Sequence, residues 1–473
     1  MGLLTTIKNE VKAAVGYQQD FTELLQSQDV SRALSMMKEH GDDAQKNLEI
    51  YEVETHKVME RKDRAVFDQK GNFLRWSKRN KIPIPWQKYI NEISLVFLYG
   101  RPVKWTQLSE GTDDAFDNYK SILRNIRFDA IVRQTKRAAG AEGCSAILYH
   151  TYQKEGQPKL LLNALSKRNG DDIYTIKDQY KRLTAFAWGY NLTEAGNQTR
   201  YHVDIYTPDT IYRAKRATAG WEVLTYKNMA GKIPVLLFEQ EPEAADVQAM
   251  IDRNEKMESV DADVNDRFSN PAMVATSEIL NNLPKAEEEA KLFILKNGGQ
   301  VSYLTWDQAS QSKQNEFERL EKHILSKSFT PNIDFDNMKS LGNLSAKAIR
   351  KIMLLAVIKA EKHKEKHDDY MNRHVSIMKA ILGNILDYRN KSKYDALEIG
   401  HEFQEPFGED VSETLADLSK QFNDGALSRE TYVEMSYLVK DAKAEMERIK
   451  QEQAEQMAQQ MEMNRLDAFE PTD

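Results

Sequence analysis

The sequence has little cysteine or proline and no long apolar run, and each scarcity excludes a class of protein. Its 473 residues contain one cysteine, Cys144, which rules out an intrachain disulfide and a four-cysteine zinc site. Apolar runs such as Ile93–Tyr99 are far shorter than the ~18–20 residues that span a bilayer. We therefore expect a protein of a reducing compartment such as the cytoplasm, without membrane contact.

A basic excess is also missing. The chain carries 66 Lys and Arg against 73 Asp and Glu, a net charge of −7. Proteins that bind DNA tightly by neutralising its phosphates usually have a basic excess. Any DNA contact of this chain is therefore expected to be weak or confined to a small region. The phosphate-binding glycine loop, the Gly-x-Ser-x-Gly elbow and the His-Glu-x-x-His zinc motif do not occur, and we expect neither enzymatic activity nor a cofactor.

What the sequence does contain is a mixed first half. Its length exceeds the ~250–300 residues of a single core, which predicts two or more packed units. One helix is expected at Ile90–Tyr99, before Gly100, and another from about Phe116 to Ala138. The alternation from Cys144 to Tyr226, with turns at glycines 156, 196 and 220, predicts antiparallel β structure. A buried strand is expected at Gly231–Phe238.

The second half is mostly helical and begins with an acidic helix. Between Glu241 and Phe268 the sequence has nine Asp or Glu and three Lys or Arg, beside one apolar stripe. Later segments have helical periodicity, apart from one long loop and one extended run. These are helix Ser310–Ser326, loop Phe329–Asn343, a very long helix from Ser345 to about Leu386, extended run Phe403–Phe407, helix Ser412–Phe422 and helix Ser428 to about Leu466.

Two interpretations of individual segments, one enzymatic and one not, stay open at this point. His363 and His367 are four residues apart on one helical face, with Asp368 and Asp369 nearby, so a metal-dependent nucleic-acid enzyme is conceivable. The flanking lysines would repel a cation, and we interpret the segment as a solvated face of mixed charge without a metal. The methionines of the last helix indicate packing between subunits, as in a helical scaffold or adaptor protein.

Three segments, taken in order, resemble the portal proteins of tailed bacteriophages, specifically the siphophage type. Asn91–Val103 is similar to the helix exit of that family, and Gly231–Phe238 leading into the acidic helix is similar to its next junction. Asp424–Thr431 followed by Asp441–Ile449 is similar to a motif near the family's C-terminus. Two further stretches, Tyr51–Val58 and Leu344–Ile349, are degenerate forms of family motifs.

The resemblance implies an α+β, mainly α, portal fold that assembles as a ring around a central channel. It divides the chain into a wing of helices and antiparallel β layer (1–240), a first stem helix (241–269), a clip (270–308), a second stem helix (309–327), a tunnel loop (328–344), a long wing helix (345–400), a crown (401–466) and a disordered tail (467–473).

The same resemblance implies a function. The ring, with twelve subunits in the family, would occupy one capsid vertex of the virion after assembly in the host cytoplasm. It would pass double-stranded DNA during packaging and ejection, and bind the large terminase, the head–tail adaptor, the major capsid protein and the scaffolding protein.

Candidate site residues follow from this division. Three groups are expected: tunnel-loop residues that touch DNA, an acidic stem face that keeps the duplex centred, and clip residues that dock partners. They are Lys327, Asp334, Asp336, Lys339 and Asn343 in the loop, Asp252, Glu255, Asp263 and Asp266 on the stem, and Glu287, Glu288 and Lys291 in the clip.

Overall fold

A computed structural model of the chain describes residues 21–68, 70–194, 198–218, 220–268, 273–275, 301–303, 310–333, 351–406, 411–436, 439 and 442–467. The chain divides into two compact units. The first comprises Met1–Ser340 with Ile352–Pro406, and the second comprises Leu341–Lys351 with Phe407–Asp473. Helical residues outnumber strand residues, which confirms the expected α+β class with helix in the majority. Among the described helices, none is long and apolar enough to cross a bilayer.

The helices of the described residues are α1 (Val30–Ser35), α2 (Gly41–Tyr51), α3 (Trp86–Tyr99), α4 (Asp113–Asn125), α5 (Phe128–Glu142), α6 (Gln248–Phe268), α7 (Ser310–Lys327), α8 (Leu354–Ile381), α9 (Lys391–Ala396), α10 (Val411–Asn423), α11 (Arg429–Glu434) and α12 (Ala442–Asp467). The strands are β1 (Lys38–Glu39), β2 (Arg64–Phe67), β3 (Phe73–Ser77), β4 (Lys104–Gln107), β5 (Cys144–Lys154), β6 (Gln157–Leu165), β7 (Asp172–Lys177), β8 (Leu183–Glu194), β9 (Gln198–Tyr206), β10 (Thr210–Ala217), β11 (Gly220–Lys227), β12 (Val235–Glu239), β13 (Met273–Ala275), β14 (Val301–Tyr303) and β15 (Ile399–Glu402).

The core of the first unit is layered. A six-stranded antiparallel sheet, in the order β1-β7-β8-β9-β10-β11, packs one face against α1 and the other against a three-stranded sheet, β12-β5-β6. Strand β5 joins two layers because its side chains alternate between faces. Ala146 and Leu148 face the large sheet, whereas Ile147 and Tyr149 face the helices α3, α4, α5 and α8.

The predicted β layer is confirmed, including its hairpins. Strands β5 and β6 join at Glu155 and Gly156, whose φ angles of 55° and 75° are those of a tight hairpin turn. Strands β8 and β9 pair next, followed by β10 and β11. The local sequence pattern did not predict that β12 pairs with β5, because the strands from β6 to β11 lie between them in the sequence. In this pairing Phe238 lies opposite Ser145.

Several predicted boundaries are wrong. The helix expected from Phe116 to Ala138 is two helices, because Arg127 adopts a left-handed conformation with φ 55° between α4 and α5. The extended run expected at Phe403–Phe407 lies earlier, where β15 pairs with β4. The long helix is described from residue 351, and after α8 it closes in a π-helical turn over Leu382–Leu386.

The second unit contributes helices α10, α11 and α12 to the described residues. The single C-terminal helix expected from Ser428 is interrupted, because α11 ends at Glu434 and α12 begins at Ala442. Ser428 does cap a helix as its residue type suggests, since its Oγ accepts a hydrogen bond from the amide of Thr431 at 3.1 Å. The rings of Phe422 and Tyr432 lie 4.6 Å apart and join α10 to α11.

Candidate functional site: a helix pair and its junction

Helices α6 and α7 form an antiparallel pair. Two ion pairs connect them, Arg253 with Glu316 at 2.9 Å and Lys313 with Asp261 at 2.7 Å. At the other end of the pair, Ile251 and Ile324 belong to one apolar cluster and are fully buried. Beyond the far end of the two helices, β13 pairs with β14 antiparallel. The two helices predicted from the sequence over this part of the chain are present, and the structure pairs them.

Glu255 of the expected acidic face is buried rather than open. It is 1% exposed, and its carboxylate lies 2.6 Å from Nδ1 of His56. The same carboxylate accepts a hydrogen bond from the amide of Ile84 at 2.8 Å. A residue enclosed by its own chain cannot face DNA, which corrects its assignment to a channel-facing surface.

Asp263 and Asp266 also bind the chain segment that precedes α3. The carboxylate of Asp263 accepts hydrogen bonds from the Arg61 guanidinium and the Asn80 amide, each at 2.7 Å. Burial alone would raise the pKa of Asp263, but these two donors outweigh it and the pKa lies below its ordinary value. Asp266 accepts from the Asn80 side chain at 2.6 Å. Much of the acidity of α6 therefore serves to hold this segment.

Asp252 is the least engaged of the four stem candidates. Its carboxylate accepts a hydrogen bond from the side chain of Gln248 at 2.8 Å, one helical turn earlier. The ammonium group of Lys57 lies 3.9 Å from it, and the Asp252 side chain is 30% exposed. Of the predicted acidic face, this residue and the exposed Asp266 are the ones with substantial contact to solvent.

A buried ionic cluster lies where β12 leads into α6. Glu243 is its centre, with a side chain 2% exposed. Its two carboxylate oxygens contact Lys136 Nζ at 2.5 Å and Lys359 Nζ at 2.7 Å, and the His363 ring lies 3.2 Å away. We call these four residues the junction cluster. Burial would raise the pKa of Glu243, but Lys136 and the other partners hold it well below its usual range.

The junction cluster connects four parts of the chain. Lys136 comes from α5, Lys359 and His363 from α8, and Glu243 from the segment before α6. Lys359 also donates a hydrogen bond to the carbonyl oxygen of Ser328, directly after α7, at 3.2 Å. The start of α6, the end of α7 and the long helix are consequently fixed against one another by charge-assisted hydrogen bonds.

The helix with three histidines is not the solvated face that the sequence analysis expected. His367 is 2% exposed and its Nδ1 lies 2.7 Å from the Tyr99 hydroxyl. His374 is fully buried, with its ring nitrogens 2.6 Å and 3.1 Å from the hydroxyls of Tyr149 and Tyr119. Burial lowers the pKa of His374 to about 3, so this ring is neutral at physiological pH.

A periodic signal could have revealed these buried histidines. Ala356, Ala360, His367, Met371 and His374 are all buried, and they follow one another at steps of three, four or seven residues. Treating histidine as an interior residue would have extended the apolar stripe through the helix. His363 and His367 instead interact with different partners, Glu243 and Tyr99, and the described residues contain no group of three or more potential metal ligands.

The first residues of the predicted tunnel loop are fixed where they leave α7. The hydroxyl of Tyr89 in α3 donates to the carbonyl oxygen of Pro331 at 2.8 Å and accepts from the amide of Ile333 at 3.1 Å. Lys327, the last residue of α7, is exposed. The remaining loop and clip candidates lie outside the described residues: Asp334, Asp336, Lys339, Asn343, Glu287, Glu288 and Lys291.

Comparison with known proteins gives one family. A family model described as phage portal protein, SPP1 Gp6-like, matches residues 35–459, which is most of the chain. A search of curated proteins found no match. The family match spans the layered core, the helix pair, the junction cluster and helices α10 and α11.

Proposed function

The chain belongs to the phage portal proteins of the SPP1 Gp6-like family, and from this premise we propose that it assembles into a ring that conducts DNA. The family is structural and places the protein in the virion capsid, at the machinery of DNA packaging. In our proposal twelve copies surround a channel at one vertex, through which the genome enters during packaging and leaves at ejection.

The observation that carries the proposal is the rigid mounting of the helix pair. A conduit must hold its wall against the force of a moving duplex, and α6 and α7 are joined by ion pairs and rooted in the buried junction cluster. Buried charges with several partners are costly to separate. The pair is therefore suited to act as the channel-lining stem of each subunit.

The low basic content favours a channel in which DNA slides over one that binds DNA tightly. Each fixed contact between a Lys or Arg and a phosphate adds affinity, which has to be broken whenever the duplex advances. With a net charge of −7 per chain, a ring of these subunits offers DNA no general attraction. Because Glu255 is buried and Asp263 is held by Arg61, we no longer assign the centring role to these two residues.

We propose that the segment after α7 supplies the contact with DNA. Lys327 and Lys339 are its candidate cations, accompanied by Asp334, Asp336 and Asn343. The Tyr89 contacts to Pro331 and Ile333 fix where this segment leaves the helix pair. Glu287, Glu288 and Lys291 are proposed to dock the large terminase and the head–tail adaptor, while capsid and scaffolding proteins bind elsewhere on the ring.

Imaging tests the ring directly. Negative-stain or cryo-electron micrographs of the purified chain, viewed down the axis, should show closed rings with a central channel. Native mass spectrometry should give one large assembly. Only monomers or dimers across a range of salt and protein concentrations would refute the proposal.

Lys339→Glu tests the DNA contact within that ring. We expect the variant to assemble normally and to package or retain less DNA, because it replaces an attractive contact by a repulsive one. Lys154→Glu, at the exposed β5–β6 turn, is the matched control and should package normally. If the Lys339 variant fails to form rings, the loop has a structural role instead.

A further inference from the structure

Strands β2 and β3 form an isolated hairpin with exposed aromatic side chains. In the described residues the pair has no third strand, and its register places Ala65 opposite Trp76 and Phe67 opposite Phe73. Exposure is 57% for Phe67, 51% for Phe73 and 63% for Trp76. The ring centroids of Phe67 and Phe73 are 6.2 Å apart, and those of Phe73 and Trp76 are 5.4 Å apart. One face of the hairpin is thus aromatic and uncovered.

Hydrogen bonds fix both ends of the hairpin to α6, so its exposed side chains do not belong to a frayed chain end. We call residues 61–81 the arm. At its base, Arg61 and Asn80 bind Asp263, and the amide of Ile82 donates to Ser259 Oγ at 2.9 Å. A two-stranded hairpin alone is marginally stable in water. A large exposed apolar surface on a fixed element is typical of a protein–protein interface.

Charge distinguishes the arm from the rest of the chain. It carries eight Lys or Arg and two Asp, a net charge of +6. Since the whole chain is −7, the other residues together total −13. The arm is therefore electrostatically complementary to another copy of the same chain.

DNA is also anionic but fits the arm less well. Duplex DNA presents phosphates and sugars on its outer surface, and Phe67, Phe73 and Trp76 would stay in contact with water beside it. Aromatic residues and arginine are enriched at protein interfaces, and the arm has both. The aromatic face consequently favours a protein partner.

A matching surface lies elsewhere on the chain. A cavity of about 170 Å³ is lined by apolar groups of Ile50, Ala141, Pro242 and Ala244, together with the side chain of Gln87. An engineered cavity of about 150 Å³ holds benzene, so this cavity is large enough for one aromatic ring. Among the residues next to its lining in sequence, Glu49, Glu241 and Asp246 are exposed acids and Lys46 is an exposed base, so acidic side chains outnumber basic ones there.

We propose that the arm of one copy inserts an aromatic side chain, Trp76 or Phe73, into this cavity of a second copy. Two different complementary surfaces on one chain make a head-to-tail contact, and such contacts close into rings when the rotation allows it. The inference rests on the proposed function, because it supplies one of the contacts that would hold the ring together.

The first test compares self-association. We expect Phe73→Ser with Trp76→Ser in the arm, and Ile50→Arg in the cavity, each to raise the protein concentration needed for half-assembly at least tenfold in sedimentation velocity. Leu224→Ser is the matched control, since Leu224 is 61% exposed on the edge strand β11. Arm variants that assemble like the wild type would overturn the proposal. Loss with the arm variant but not with Ile50→Arg would overturn the assignment of the cavity.

The second test remains informative if a variant folds poorly. Trp76→Cys and Ile50→Cys, made in separate chains and mixed, should form disulfide-linked dimers on oxidation, and neither chain alone should do so. Cys144 is buried and does not compete.

If the mixed chains form rings like those of the wild type but give no mixed dimer, the arm contact is overturned and the proposed function is not. Wild-type chains that never form rings refute the proposed function, and mixed dimers would still show arm contact. Unchanged rings with weaker binding of duplex DNA by the arm variant would make the arm a DNA contact instead.

Discussion

The interior around α8 and the exposed arm differ in how far their side chains are covered by their own chain. In the interior, the ring nitrogens of His374 have tyrosine hydroxyls beside them, and the Glu243 carboxylate contacts Lys136, Lys359 and the His363 ring. In the arm, Phe73 and Trp76 lie in solvent although they are the kind of residue that usually forms a core. The first region is complete within one chain. In the second, the described residues leave the aromatic face uncovered.

Helix α12 resembles the arm in this respect. Met457 is 64% exposed and Met461 is 73% exposed. The neighbouring positions are Glu, Gln and Ala, so the helix has little apolar surface with which to bind its own chain. The comparison indicates that changes in the α8 interior should act on stability, whereas changes in the arm should act on association.

The largest effect on stability is expected from Glu243→Gln. This change leaves Lys136 and Lys359 in a buried site without a full negative charge, and breaking a buried ion pair costs about 3–5 kcal/mol. Urea unfolding should show that decrease in the free energy of unfolding. Glu402→Gln, in the exposed pair with Lys104, is the control and should cost at most about 1 kcal/mol. Equal effects of the two variants would mean that the junction cluster is not a stabilising element.

His374 should make stability depend on pH. Its pKa is about 3 in the folded chain and about 6.5 when unfolded, so the unfolded state takes up the proton first. This contribution is therefore fully present above pH 6.5 and is lost as the pH falls towards 3, by about 1.4 kcal/mol per pH unit. The free energy of unfolding of His374→Gln should change less between pH 6.5 and 4 than that of the wild type. His323→Gln, at an exposed position of α7, should leave it unchanged.

An intermediate effect is expected at the base of the arm. Asp263→Asn removes a charge that accepts two hydrogen bonds, and bonds to charged groups contribute about 1.5–3 kcal/mol. Hydrogen exchange should show faster exchange of the Asn80 amide, because that amide donates to Asp263. Asp261→Asn, in the more exposed pair with Lys313, is the control and should leave the Asn80 amide protected.

The smallest effect is expected from the C-terminal helix. Removal of residues 446–473 takes away most of α12, whose methionines are exposed, and should leave both folding and ring formation intact. Native mass spectrometry would then find the same assembly as for the full chain. Complete loss of association would instead support the alternative of a helical scaffold or adaptor.

Much of the local structure could be predicted from the sequence. The alternation of residues in β5 and β6, and the turn at Glu155 and Gly156, indicated a hairpin that the structure confirms. The apolar stripe of α6 indicated a helix for the same reason, since a period of 3.6 or 2 is a property of neighbouring residues. The break at Arg127 was missed because a left-handed residue interrupts the backbone while the apolar period continues through it.

The candidate site was less predictable. The acidity of α6 is visible in the sequence, but its use depends on a segment about 180–200 residues away, as the bonds from Asn80 and His56 show. In the junction cluster Glu243 contacts Lys136, which is 107 residues away in the sequence, and Lys359 on the other side of it in the chain. Sequence spacing gives no information on such contacts, because they arise only when separate elements pack together.

The sequence by itself determined the class of the fold, the positions of helices α6 and α7 and, through ordered motifs, the family. It did so because these properties depend on local periodicity and on residue type. Only the tertiary structure decided which charges are buried and paired, and that Glu255 binds His56. It also decided that the basic arm is exposed, in a chain whose other residues are acidic on balance. The reason is physical: the energy of a charge or an aromatic ring depends on what surrounds it in space, and that surrounding is assembled from distant parts of the chain.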